Sequence, residues 1–147
     1  MPRDNVHELG LVSLLYVSRS SIEESQGQKQ LEDIITVAVA RNARSGVTGA
    51  LLYTGAHFAQ VLEGPRKAVS ELMHSIERDN RHRDVTTVRS DHLRQRLFAD
   101  WAMAYSGRSP YLDRHVKPLL SSVANEEQKG ELIASLMDVL SSVRRQL

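Results

Sequence analysis

The pattern of apolar positions changes period in the first third of the chain. Residues 11–18, LVSLLYVS, form a short run rich in apolar and strand-forming side chains, which predicts a buried strand. From Leu31 the apolar residues recur at helical spacing, which predicts a helix that ends before Ser45–Gly46. The buried face of this helix would carry Leu31, Ile34, Ile35, Ala38 and Asn42.

Strand-like alternation returns after this helix. Residues 47–64 predict two strands joined by a turn at Thr54–Gly55, a hairpin. Pro65 is predicted to be the first residue of a second amphipathic helix, which ends at the polar stretch 78–84. Two more segments, 85–93 and 98–107, have the composition of strands.

The predicted order, β-α-β-β-α-β-β, indicates an α+β fold. Its first six elements match the ferredoxin-like arrangement, so we expect a mixed five-stranded sheet with two helices on one face. Residues 9–107 would form this domain, and residues 108–147 a helical segment that caps the other face or docks a partner. In that segment a short helix would be interrupted near Pro118, and Asn125–Gln128 has the pattern of a capping box before the last helix.

Three polar side chains interrupt faces that the pattern predicts to be buried: Tyr16, Asn42 and Gln60. A ferredoxin-like fold places its first and third strands side by side, with the first helix across them, so all three would face one layer. Each has an ordinary explanation, such as a carbonyl partner for the tyrosine or a local helix cap for the asparagine. Together they favour one shared partner, a planar ligand that carries an amide and hydrogen-bonds at its edge.

The amino-acid composition argues against several classes of function. The 147 residues carry a formal net charge of +1 and no cysteine, which argues against a polyanion-binding protein and excludes thiolate sites. The six histidines lack metal-motif spacing, and the arginine excess in 78–96 has no interleaved aromatic residues, so we predict neither a metal nor a nucleic-acid site. With no signal peptide and no membrane-spanning apolar run, we expect a soluble, cytoplasmic protein.

Four motifs occur in order along the chain. They are RNxxxGVTGxLxY at 41–53, FxQxLEGP at 58–65, DxRH at 79–82 and WxM at 101–103. In this combination and spacing the chain resembles the BLUF domain, a blue-light sensor that uses FAD, over about two thirds of its length. The resemblance implies that the chain is a photoreceptor rather than an enzyme.

The resemblance also implies roles for individual residues. Tyr16 would donate an electron and then a proton to the excited flavin, and Gln60, whose amide bridges the tyrosine to the ring, would reorient or tautomerise. Asn42 would hold the pyrimidine edge, while Trp101 and Met103 would carry the signal outward. The other residues expected to bind the flavin are Arg41, Arg81, His82, Ile34, Ala38, Leu51, Phe58 and Ile76.

Two positions depart from the family pattern. Ala38 stands where many members carry serine, which would remove one hydrogen bond to the flavin. Arg41 replaces an asparagine or histidine, and either a contact with the C2 carbonyl or a solvated side chain fits it. Both bear on colour and dark-recovery rate rather than on the tyrosine–glutamine–asparagine set.

Output is expected to run through another chain, because only about 40 residues follow Tyr105. We expect a separate downstream signalling protein as partner, and a homo-oligomer formed through the last helix or the exposed sheet. The main alternative is a light-insensitive ferredoxin-like module that binds a ligand or a protein, and a small hydrolase of the same fold is the second.

Overall fold

The computed structural model describes residues 10–99, 104–106, 110–121 and 124–146. Its strands are β1 (Leu11–Ser20), β2 (Thr48–Tyr53), β3 (His57–Pro65), β4 (His82–His92) and the short β5 (Ala104–Ser106). Its α-helices are α1 (Gly27–Ser45), α2 (Arg66–Glu77), α3 (Asp113–Val116) and α4 (Glu126–Gln146). Single 3₁₀ turns lie at Glu24–Gln26, Pro110–Leu112 and Lys117–Leu120. The predicted α+β class is confirmed.

Strands β1 to β4 form an antiparallel sheet in which β1 and β3 lie at the centre. The full order is β4-β1-β3-β2-β5, with β5 pairing parallel to β2 through three residues. Eight of the nine residues of β3 are buried, which is the reason for its nearly continuous apolar sequence. A strand covered on both faces shows weak alternation, so its few polar residues stand out.

Helices α1 and α2 cover one face of the sheet. Leu31, Ile35 and Ala38 of α1 join Leu72 and Ile76 of α2 in the core on this side. Helix α1 ends at Ser45, one residue later than predicted, and Gly46 is its C-terminal stop: it adopts φ 73°, and its N–H and that of Val47 bond to the Asn42 carbonyl.

Two helix starts differ from the prediction. Helix α1 begins at Gly27 rather than Leu31, because its first turn is polar and contributes no apolar periodicity. A Cβ on Gly27 would lie 3.1 Å from the Tyr53 hydroxyl, so glycine permits this close approach. Pro65 ends β3 with ψ 138°, and α2 begins one residue later, at Arg66.

The C-terminal helices cover the opposite face. Val116, Leu119, Leu136 and Leu140 are buried there against β1, β2 and β3. The predicted capping box is confirmed, since the Gln128 N–H donates to Asn125 Oδ1 at 2.8 Å and the Asn125 N–H to Gln128 Oε1 at 2.9 Å. The division between 107 and 108 stays a prediction, because 107–109 lie outside the described residues. No helix in the described part of the chain is long and apolar enough to cross a membrane.

Candidate functional site

Tyr16 and Gln60 form the centre of the site. The β1–β3 register places them directly opposite each other, and both side chains point towards the helices. The Tyr16 hydroxyl donates a hydrogen bond to Gln60 Oε1 over 2.5 Å. Their exposed fractions are 3% and 5%, so this bond is shielded from water. The glutamine that looked too polar for its strand therefore has a partner of matching chemistry.

Burial changes the acidity of this pair. It raises the pKa of the Tyr16 phenol well above its ordinary value of 10.0, and the Asp79 carboxylate adds to the rise. The Arg41 guanidinium acts in the opposite direction, with a smaller effect on the same pKa. Tyr16 therefore keeps its proton at any physiological pH, and Gln60 Oε1 is the acceptor towards which that proton points.

Asn42 and Arg41 lie at the last turn of α1. The Asn42 side chain is fully buried, and its Oδ1 receives a long contact of 3.5 Å from Arg41 Nε. Burial lowers the pKa of Arg41 from its ordinary value, while the nearby Tyr16 and Asp79 raise it. A guanidinium retains its charge under such a shift, so Arg41 places a partly buried cation beside the asparagine.

His82, the first residue of β4, is held at both ring nitrogens. Its Nε2 lies 2.6 Å from the Ile76 carbonyl oxygen, which can only accept, so Nε2 carries a proton. Nδ1 lies 2.8 Å from Ser18 Oγ and, with the proton on Nε2, accepts a hydrogen bond from that hydroxyl. The ring meets those of Tyr16 and Phe58 edge-on, each at a centroid distance of 6.0 Å. His82 thereby joins β1, α2 and β4 around the tyrosine.

Arg81 and Asp79 form an ion pair at the end of α2. Arg81 Nη2 lies 2.5 Å from Asp79 Oδ2, and Arg81 Nε also donates to both carboxylate oxygens. The bonds from Arg81 hold the pKa of Asp79 below its ordinary 3.8, and the same pairing raises the pKa of Arg81. The carboxylate therefore partly neutralises the second cation near the site.

These side chains surround one cleft between α1 and α2. The space inside it that a water-sized sphere can occupy is about 70 Å³, and the rest of the cleft opens to solvent. The sheet supplies a floor of Tyr16 and Gln60, and the predicted residues around it are Ile34, Ala38, Arg41, Leu51, Phe58, Ile76, Arg81 and His82. A polar floor between apolar walls fits a flat heteroaromatic ring that hydrogen-bonds at its edge, so the residues present fit a flavin.

Three cleft residues were missed by the sequence analysis: Val37, Ser75 and Asp79. Asp79 belongs to the DxRH motif and could have been found there. Val37 and Ser75 leave no comparable signal, because Val37 is 57% exposed and Ser75 lies on the polar side of α2. Asn42 is buried near the cleft without lining it, and Trp101 and Met103 lie outside the described residues.

Comparison with known proteins decides the family. The family model described as "BLUF: Sensors of blue-light using FAD" matches residues 11–104, which include every element around the cleft. The chain belongs to the BLUF family. It is therefore a flavin-binding blue-light sensor, and FAD is the cofactor that BLUF domains use.

Relatives of known structure and function agree. The solved structure titled "BlrB - a BLUF protein, dark state structure" superposes with a TM-score of 0.72 and 32% identity, covering 90% of this chain and 96% of that one. The blue light- and temperature-regulated antirepressor BluF of Escherichia coli K12 is 37% identical over 93 residues, 63% of this chain. The photoactivated adenylate cyclase subunit beta of Euglena gracilis is also 37% identical, over 94 residues.

The matched region is a small part of the two curated relatives. The alignment spans 23% of the antirepressor and 11% of the cyclase subunit. This chain therefore corresponds to only a small part of an antirepressor and of a photoactivated adenylate cyclase subunit.

Proposed function

We propose that this BLUF domain detects blue light with FAD held in the cleft between α1 and α2, and that Tyr16 and Gln60 are its photoactive pair. The observation that carries the proposal is the 2.5 Å hydrogen bond between these two side chains on the floor of the cleft. The walls for the ring would be Ile34, Ala38, Leu51, Phe58 and Ile76. Its polar edge would meet Asn42 and Arg41, with Arg81 and His82 nearby.

Bound FAD would supply blue-light absorption and, in its excited state, a strong one-electron oxidant. Tyr16 would donate the electron, a role supported by the position of its buried ring at the cleft floor. Its high pKa keeps the phenol neutral in the dark, and removing an electron from a phenol makes its proton strongly acidic. Gln60 Oε1 then lies within hydrogen-bond reach to receive that proton.

Gln60 suits the role of switch because its amide has an acceptor at one end and a donor at the other. In the observed orientation Oε1 accepts from Tyr16. A turned amide would present NH₂ to the same phenol oxygen, which can also accept, so both orientations keep a bond to Tyr16. The two states differ in the hydrogen bonds offered to the cleft and involve no movement of formal charge. In a site of low dielectric such an exchange has a large energetic effect.

The output of the domain is proposed to pass through Trp101 and Met103 to a separate signalling protein. Among the relatives, an antirepressor and an adenylate cyclase carry BLUF sensor regions. The helices after residue 108 are the proposed contact, and we propose that two copies of the chain also associate through them. The chain itself would perform no catalysis.

The absorption spectrum of the purified, FAD-loaded protein tests the proposal. We expect a yellow protein whose flavin bands shift reversibly to longer wavelength under blue light and return in the dark. A protein that binds FAD and shows no such shift would be the light-insensitive module instead. A protein that takes up no FAD on reconstitution would refute the proposed cleft.

A further inference from the structure

The most enclosed charged side chain in the described part of the chain is Glu63, three residues after Gln60 on β3. Its exposed fraction is 0%. It points away from the cleft, since Gln60 and Leu62 face α1 and α2 while Ala59 and Val61 face the C-terminal helices. None of the roles described above uses it, yet burying a carboxylate is costly unless its oxygens are well bonded.

Glu63 binds the chain segment that follows β4. Its Oε2 accepts the N–H of Leu97 at 2.6 Å, and its Oε1 accepts the N–H of Phe98 at 2.9 Å. Both oxygens of one carboxylate thus hold two consecutive main-chain amides. The Thr48 hydroxyl of β2 donates to Oε1 at 3.1 Å, and Arg96 Nη1 donates to that hydroxyl oxygen at 3.0 Å.

This contact fixes one end of a short connection. Phe98 is held by Glu63, and Ala104 is held by pairing with Ala50 of β2. The five residues between them include Trp101 and Met103. In the next pairs of the sheet, Tyr105 of β5 lies beside Leu51 of β2, and Leu51 lies beside Gln60 of β3. The main chain that precedes Trp101 and Met103 in sequence is therefore bonded, at Leu97 and Phe98, to the same strand that carries the proposed switch.

Resting on the proposed function, we propose that Glu63 is a positioning residue for the light reaction. It fixes the main chain at Leu97 and Phe98 to the strand that carries Gln60, and so sets how readily the light-induced state returns to the dark state. Two carbonyl-type oxygens are required to hold two N–H donors. An amide would accept from one and present its own NH₂ to the other, so Glu63→Gln releases one end of the anchor.

The test measures dark recovery of the flavin absorbance after a blue-light pulse. In Glu63→Gln we expect FAD uptake and a red shift of normal size, with recovery about fivefold faster, the factor that corresponds to losing about 1 kcal/mol of barrier. Asp113→Asn is the matched control. It makes the same carboxylate-to-amide change on the same face of the sheet, beside His57 at the other end of β3. Its recovery should stay within twofold of wild type.

Recovery of Glu63→Gln within twofold of wild type, with flavin bound, would overturn the proposal. If this variant does not fold, Thr48→Val decides, because it removes one bond to Glu63 Oε1 and keeps a β-branched strand residue. Recovery should then be about twofold faster, and an unchanged rate would overturn the proposal. A wild-type protein without any red shift would refute the proposed function instead, so the two failures are distinguishable.

Discussion

The two faces of strand β3 bury polar side chains for different purposes. On the face covered by α1 and α2, the cleft side, Gln60 borders an open cleft, and its Oε1 accepts a hydrogen bond from another side chain, Tyr16. On the face covered by the C-terminal helices, the cap side, Glu63 is enclosed, and it bonds to two main-chain amides and a threonine hydroxyl. A side-chain pair beside a cleft can rearrange, whereas a carboxylate that holds main-chain amides cannot do so without moving the chain. One strand thereby separates the side chain that is proposed to change from the side chain that holds the main chain.

The largest difference between the faces should appear with Tyr16→Phe. This change removes the donor to Gln60 and the proposed electron source, and the phenyl ring still fills the site. We expect FAD binding and complete loss of the reversible red shift, measured by absorption spectroscopy under blue light. Tyr53→Phe is the matched control, since Tyr53 is equally buried, stacks on Phe58 at 4.8 Å and does not line the cleft. A retained shift in Tyr16→Phe would contradict the electron-donor role.

On the cap side, Leu140→Ala should reduce stability and leave the spectrum unchanged. Leu140 of α4 is fully buried beneath the sheet, and such truncations cost about 2–5 kcal/mol. Urea unfolding followed by circular dichroism measures this loss. The red shift of the remaining folded protein should equal that of wild type. A changed shift would show that the two faces are coupled through the core.

Asp113→Asn tests the second polar contact of the cap side. Asp113 Oδ1 lies 2.6 Å from His57 Nδ1 and 2.5 Å from Thr54 Oγ1, so it ties α3 to the β2–β3 turn. Asparagine keeps an acceptor oxygen but carries no charge, so both hydrogen bonds to Oδ1 become weaker, which should cost about 0.5–1.5 kcal/mol of unfolding free energy. Chemical denaturation at neutral pH checks this value. An unchanged midpoint would mean that the cap is held by its apolar contacts alone.

The smallest expected effect is a pH dependence that belongs to the cleft side. Because burial raises the folded-state pKa of Tyr16, its contribution to stability is complete below the unfolded value of 10.0 and is lost as the pH rises above it. Between about pH 9 and pH 11, wild type should lose more stability than Tyr16→Phe. Unfolding midpoints of the two proteins at both pH values give the comparison. Equal losses would mean that the phenol is not shielded as described.

The sequence was most informative where a polar residue interrupts a regular apolar pattern. Tyr16, Asn42 and Gln60 each break the periodicity of a long, well-defined element, and all three are buried around one layer of the fold. Pairing of β1 with β3 followed from the order of elements, and the common layer of Tyr16 and Gln60 followed from the face that each residue occupies. Their direct pairing is seen only in the structure.

Contacts between distant segments were beyond reach of the same reasoning. Glu63 lies near the end of an apolar strand, and its partners Leu97 and Phe98 lie in a loop. The predicted strand 98–107 was wrong at Phe98, since β5 begins at Ala104. The His57–Asp113 pair joins residues 56 positions apart, across a boundary that the pattern assigned to separate units. Donors and acceptors can be counted from a sequence, but their pairing depends on how the chain closes in three dimensions.

The strict alternation along β3 has a consequence for protein engineers. Because successive side chains serve opposite faces, deleting one residue between Gln60 and Glu63 would turn the rest of the strand over. Every engineered variant of this sensor must therefore keep the length of the strand between these positions. Retuning its colour or recovery time has to proceed by exchange of side chains at constant spacing, so a library built on insertions in β3 would yield few functional members.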